Sequence, residues 1–148
     1  MKTYPYRHQR RILFGETDAA RIVYTPRFTD YCMEAAEVWF REYLDCDWYQ
    51  MNAYEELGTP VVHMELDFVS PLIGNDLLEI TLTLEQVSRS TLTLAFDGYK
   101  IGNNADEKVQ SFTAKIIFCF FSNKTSKAKP IPKEQLALLD EYLLGCEQ

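Results

Sequence analysis

The residues best suited to chemistry fall in one short stretch, Gly15, Glu16, Thr17, Asp18, Ala19, Ala20, Arg21, Ile22, Val23, Tyr24, Thr25 and Pro26. A carboxylate, Asp18, precedes by a few residues a sequence that reads as a helix start. The unpaired N–H groups and the dipole at such a start stabilise developing negative charge. That pairing suits acyl transfer. A carbonyl would take hydrogen bonds from backbone N–H groups near Tyr24 and Thr25, because Pro26 has none to give. Asp18 would either attack the carbonyl carbon or draw a proton from an attacking water. Spacing alone fits a simple turn role for Asp18 equally well. Glu16 is a rival carboxylate whose direction strand alternation leaves open.

Elements on either side must hold this stretch in place. Apolar residues at Tyr4, Tyr6, Ile12 and Phe14 predict a strand with one wet face. Thr25 is expected to cap a helix that opens at Pro26 and runs to about Leu44, with Phe28, Tyr31, Cys32, Ala35, Val38 and Trp39 on its apolar side. Asp47 caps a second short helix closing at Gly58. The period then becomes 2. Val62, Met64, Leu66 and Phe68 form one face of a strand, and Leu78, Ile80, Leu82 and Leu84 one face of the next, after a turn at Pro71 and Gly74. Ser88 to Ser90 turn the chain into a strand carrying Leu92, Leu94 and Phe96, and Gly102 to Asn104 turn it again. The last strand, about Gln110 to Phe121, is apolar on both faces from Ile116 to Phe121. That places it centrally or at an interface between subunits. A terminal helix follows Pro130 and Pro132, patterned by Leu136, Leu139 and Leu143. The fold class is therefore α+β: one antiparallel five-stranded sheet wrapped around one long central helix, plus a C-terminal helix, in a single domain over residues 1–148.

Composition narrows the function classes. With 47% apolar residues among 148, the chain can bury a continuous core, and its formal charge of −7 argues against nucleic-acid binding. No start resembles a signal peptide, and no run approaches the roughly 20 apolar residues that span a bilayer. A cytoplasmic protein without membrane contact is expected. Cys32, Cys46, Cys119 and Cys146 share no metal-ligand spacing, and His8 and His63 do not make a zinc site. His63, on the polar face of its strand, reads as a solvated residue. No metal and no cofactor are expected.

The stretch Phe14-Gly15-Glu16-Thr17-Asp18-Ala19-Ala20, with Ile22-Val23-Tyr24 and Pro26 following, resembles the signature of the 4-hydroxybenzoyl-CoA thioesterase family. The similarity continues through the helix, the Gly58-Thr59-Pro60-Val61-Val62 segment and the Ser70-Pro71 to Gly74 turn. It implies the hot-dog fold and acyl-CoA thioester hydrolysis, coenzyme A being part of the substrate. Asp18 then matches the family's nucleophile or base, Thr25 the residue whose N–H polarises the thioester carbonyl, and Tyr24 flanks the same hole. Arg21 stands where glycine is usual, so the loop differs or the guanidinium meets an anionic acyl group. Met33 aligns with an acidic residue that meets the phenol in the hydroxybenzoyl-specific member. Thr59 is a candidate for lining the acyl pocket. Arg89 aligns with basic residues that hold nucleotide phosphates, with Lys124 and Lys127 as substitutes.

Two other functions fit the same resemblance: an acyl-thioester hydratase or dehydratase, which would need a histidine the motif lacks, and a non-catalytic acyl-CoA binding module. An acyl-carrier-protein thioester is the alternative to acyl-CoA as substrate. Family members pair edge to edge with the active site at the seam, so a homodimer or a dimer of dimers is expected.

Overall fold

A helix with a broad apolar surface and a sheet with one apolar face can each become dry only against the other, and that requirement organises the molecule. The computed structural model describes residues 2–104 and 106–148. In chain order, β1 (Tyr6–Arg11) leads through one 3-10 turn (Phe14–Glu16) and a loop into α1 (Arg27–Leu44) and α2 (Trp48–Tyr54). Then come β2 (Leu57–Gly58), β3 (Val61–Phe68), β4 (Leu77–Val87), β5 (Thr91–Ile101), β6 (Lys108–Cys119), β7 (Phe121–Ser122), β8 (Lys127–Ala128) and α3 (Lys133–Cys146). Five strands form an antiparallel sheet in the order β1-β4-β5-β6-β3, and β2, β7 and β8 form a small second sheet.

The central helix buries Phe28, Tyr31, Cys32, Ala35, Ala36, Trp39, Phe40, Tyr43 and Leu44, more than a single stripe, because the sheet curls around it. It stops at Asp45, which adopts the left-handed conformation (φ 52°). Asp47 caps α2 as expected, its side chain accepting from the Gln50 N–H at 3.0 Å. That helix ends at Tyr54, earlier than its sequence suggests, and Gly58 belongs to β2 instead.

Strand alternation reads correctly where both neighbours are present. Leu78, Ile80 and Leu82 of β4 and Leu92, Leu94 and Phe96 of β5 are fully buried. β6 lies between β5 and β3; Ile116 and Phe118 of its apolar run are fully buried, whereas Ile117 between them is only half-buried. Edges behave differently. β3 has a partner on one side only, and Val62 and Phe68, expected to face inward, are 59% and 55% exposed. Phe14, expected to continue the inward face of the first strand, lies beyond its end in the 3-10 turn and is exposed. On α3 the buried residues are Leu139 and Tyr142, whereas Leu136 and Leu143 remain partly exposed. Tyr142 anchors the helix because its hydroxyl donates to the Leu82 carbonyl and accepts from the Tyr6 N–H at 2.8 Å. All four cysteines are free thiols, and three are buried. No described helix is long and apolar enough to cross a membrane.

One close approach ties the sheet to the start of α1. Gly98 pairs with Phe112, whose ring occupies the space a Cβ at Gly98 would need. The Phe112 ring packs edge-on to Phe28 at 5.3 Å, and Phe28 in turn packs on Phe68 at 5.1 Å. Gly98→Ala should therefore destabilise the fold by about 1–3 kcal/mol through overpacking. A lowered urea midpoint with an unchanged slope would register this, and an unshifted midpoint would contradict it.

Candidate active site

Between β1 and α1 the chain folds back on itself as a small hairpin whose arms are joined by main-chain bonds. The Tyr24 N–H donates to the Glu16 carbonyl (3.0 Å), Thr17 bridges Val23, and the Asp18 N–H donates to the Ile22 carbonyl (2.9 Å). The Arg21 N–H closes the tip on the Asp18 carbonyl at 2.9 Å. Val23 is buried, and its N–H donates to the Leu72 carbonyl (2.8 Å), which pins the hairpin to the connection between β3 and β4. At the tip Asp18 Oδ1 accepts the Ala20 N–H at 2.8 Å. This side-chain turn orients the carboxylate and leaves Oδ2 without an intramolecular donor among the described residues. Asp18 is exposed in the single chain.

The tip also explains Arg21. It adopts φ 67°, in the left-handed region that glycine occupies at little cost. The backbone requirement behind the usual glycine is thus kept, and the arginine bears it with its side chain exposed.

The helix entry differs from its sequence reading. Pro26, not Thr25, occupies the N-cap position, and no side chain caps the helix. The chain is already helical at Pro26 (φ −62°, ψ −19°), and the Arg27 and Phe28 N–H groups donate to the Tyr24 and Thr25 carbonyls at 2.9 and 3.2 Å. Tyr24 cannot serve as an oxyanion donor in this arrangement, because its N–H is taken by Glu16. The Thr25 N–H has no acceptor among the described residues. Thr25 lines an apolar cleft of about 290 Å³ together with Ile22, Val23, Phe28, Phe68 and Pro71, among others.

Met33 and Thr59 come together in a different cavity of about 330 Å³, with Trp48, Asn52, Gly58, Val61 and Asn123 among its other walls. Asp18 lines neither cavity, and Thr25 and Met33 share none. One chain therefore carries the two halves of the expected site apart. Arg89 sits exposed at the β4–β5 turn, whose carbonyls hold the following hairpin: Phe120 N–H donates to Ser90 (2.7 Å) and Ile131 N–H to Arg89 (2.9 Å). Lys124 and Lys127 lie on that hairpin, so the basic residues singled out from sequence belong to neighbouring turns. His63 is on the outer face of the sheet, 3.5 Å from Glu65.

Sequence reasoning missed Trp48, Asn52 and Asn123. The Asn123 side chain donates to Asn52 Oδ1 at 2.9 Å across the cavity mouth, a contact between residues far apart in the chain. Gly58, which did stand out in sequence, is the local clue, since a Cβ there would press on Asn52 Oδ1 at 2.9 Å.

A helix-wrapping antiparallel sheet with a carboxylate hairpin at the helix entry defines the hot-dog class of thioester hydrolases. A profile of the thioesterase-like superfamily matches residues 12–139, and the chain belongs to that family. A 1,4-dihydroxy-2-naphthoyl-CoA hydrolase of Crocosphaera subtropica is 30% identical over 108 residues, covering 73% of this chain and 77% of the relative. A thioesterase-superfamily structure from Jannaschia sp. CCS1 superposes with a TM-score of 0.81 at 26% identity, covering 95% and 96% of the two chains. The 4-hydroxybenzoyl CoA thioesterase of Pseudomonas sp. strain CBS-3 shares the fold, with a TM-score of 0.81 at 23% identity and coverage of 90% and 97%.

A left-handed non-glycine residue carries roughly 1 kcal/mol of local strain. Arg21→Gly should release most of it and raise the urea midpoint, and an unchanged or lowered midpoint would show that the arginine side chain supplies compensating contacts.

Proposed function

We propose that the protein hydrolyses acyl-CoA thioesters, with Asp18 as the acting carboxylate and the Thr25 N–H as the oxyanion donor. The observation that carries this reading is the hairpin's hydrogen-bond pattern. It consumes the Tyr24 amide, leaves the Thr25 amide unpaired and sets Asp18 on the opposing strand. As water attacks the thioester carbonyl, Asp18 accepts its proton and the new oxyanion is held by the Thr25 N–H. Collapse re-forms the carbonyl, breaks the C–S bond and releases the thiolate, which takes up the proton to give free coenzyme A. In the covalent variant Asp18 attacks directly, and water hydrolyses the resulting mixed anhydride.

The Met33 and Thr59 cavity has Trp48, Pro60, Val61 and Phe121 as apolar walls, which suits an aromatic acyl group. The Crocosphaera relative, a 1,4-dihydroxy-2-naphthoyl-CoA hydrolase, supports the same substrate class. Met33 offers no charge to a ring hydroxyl, so specificity would rest on shape and burial. Arg89, with Lys124 and Lys127 on the adjoining hairpin, is suited to the phosphates of coenzyme A, and the acyl-carrier-protein thioester remains the competing carrier.

Asp18→Asn keeps the size of the side chain and removes its charge and basicity. Thiol release from a panel of aromatic, branched and straight-chain acyl-CoA thioesters should fall by about a hundredfold or more, with substrate binding retained. Wild type inert on the whole panel would refute the hydrolase reading. Enoyl absorbance changes with crotonyl-CoA but no thiol release would instead favour a hydratase.

The separation of Asp18 and Thr25 from Met33 and Thr59 is what a site completed by a second chain requires. β3 offers the edge for it: a strand paired on one side only, with Val62, Phe68 and the neighbouring Val69 exposed. Sedimentation should give at least a dimer. The double substitution Val62→Lys with Phe68→Lys should yield monomers and lose turnover together. Fully active monomers would overturn the shared site.

A further inference from the structure

We infer that Glu16, clamped by Arg10, is a positioning residue that sets the spacing between Asp18 and the Thr25 N–H. Resting on the hydrolase reading above, this assigns a role to an acid whose direction the sequence left open. Glu16 is engaged at every polar atom. Its carboxylate accepts from Arg10 (Oε2, 2.7 Å) and from the Leu13 N–H (Oε1, 2.8 Å). Its own N–H donates to the Leu13 carbonyl (3.0 Å), and its carbonyl receives the Tyr24 N–H. The last of these bonds closes the base of the hairpin. Asp18, two residues after Glu16, and Thr25, next to Tyr24, are the ones the chemistry uses.

Arg10 carries the clamp to the other elements. It projects from β1, lies with its guanidinium 4.5 Å from the Tyr31 ring of α1, and approaches Glu34 one helical turn further on at 3.6 Å. Glu34 also accepts from His8 Nε2 at 2.8 Å, and His8 Nδ1 bonds the Tyr6 hydroxyl at 2.9 Å. Strand, hairpin and helix are thereby joined by one guanidinium. Both partners of the Arg10–Glu16 pair are mostly buried, at 18% and 12% side-chain exposure, where a hydrogen-bonded pair is geometrically stiff. The Tyr31 hydroxyl is buried beside them without a hydrogen-bond partner; burial first, and then the Glu16 charge, pushes its pKa up. It stays a neutral wall that confines the carboxylate. Glu16 touches no reacting atom in this scheme. It acts through the Tyr24 bond on the two groups that do.

A displaced clamp should therefore slow the chemical step and spare binding. Steady-state kinetics of Glu16→Gln, Arg10→Met and the double variant, on the acyl-CoA that wild type turns over best, are the test. Each single variant should lose about tenfold to a hundredfold in kcat, as small misplacements at a reacting centre do. KM should stay within about twofold, and the double variant should be no slower than the slower single one, because both changes release the same clamp. Binding of coenzyme A itself, measured calorimetrically, should be unaltered. Circular dichroism identifies folded variants, and if one fails to fold the other carries the test. Loss of folding in both would make the pair a stabilising element only and overturn the inference. So would unaltered kcat, a rise confined to KM, or additive losses. Wild type inert on the whole panel removes the hydrolase reading and this inference with it, whereas active wild type, inactive Asp18→Asn and fully active Glu16→Gln remove this inference alone.

Discussion

Main-chain amides at a helix entry must find acceptors or stay polar and unpaired, and how this chain distributes them between Glu16 and Thr25 governs everything built on top. The hairpin ahead of α1 pairs Tyr24 with Glu16 and Asp18 with Ile22, and the helix begins by returning Arg27 and Phe28 to Tyr24 and Thr25. Pro26 has no N–H to place. The Thr25 amide is left over, with no acceptor among the described residues. Thr25 is exposed, so its N–H is open to solvent or to a ligand that can accept it.

The sheet and helix hold that arrangement in place. Val23 is tied to Leu72, Ile12 bonds Asp76 and Asn75, and Phe28 packs between Phe112 and Phe68. The hairpin is thus pinned at its base, its flank and its helical end, while its tip, with Asp18, Ala19, Ala20 and Arg21, stays exposed. Rigidity at the base with exposure at the tip is a sensible division. The base sets distances, and the tip must admit a substrate.

Much of this was legible in the residues. Period-2 stretches in β4 and β5 and the helical stripe of α1 announced themselves because each is buried by neighbours on both sides. Asp18 was singled out through the family resemblance of its stretch, because spacing alone fits a turn role equally well. The failures share a cause. Val62, Phe68, Leu136 and Leu143 obey the right period but lie at an edge or on an outer surface, where pattern no longer reports burial in the single chain. The Thr25 cap and the Tyr24 donor failed because both depend on which carbonyl is opposite, and the Glu16 to Tyr24 pairing is a long-range fact relative to any local motif. Trp48, Asn52 and Asn123 meet only through the fold, so no spacing could reveal them.

Asp18 is exposed in the single chain. A carboxylate acting on a thioester gains most in a site from which water is excluded, since charge interactions strengthen as the local dielectric falls. Nothing among the described residues supplies that cover: the residues around Asp18 are small or solvent-facing, and the apolar cavity around Met33 and Thr59 lies elsewhere. Meanwhile β3 leaves a strand edge and several large apolar side chains uncovered. In the proposed dimer the two deficits answer each other, because a second chain that satisfied the edge would also bring its own cavity toward the first chain's hairpin. Turnover and assembly would then be properties of one surface, and the hairpin's exposed tip would be dry only in the protein's paired form.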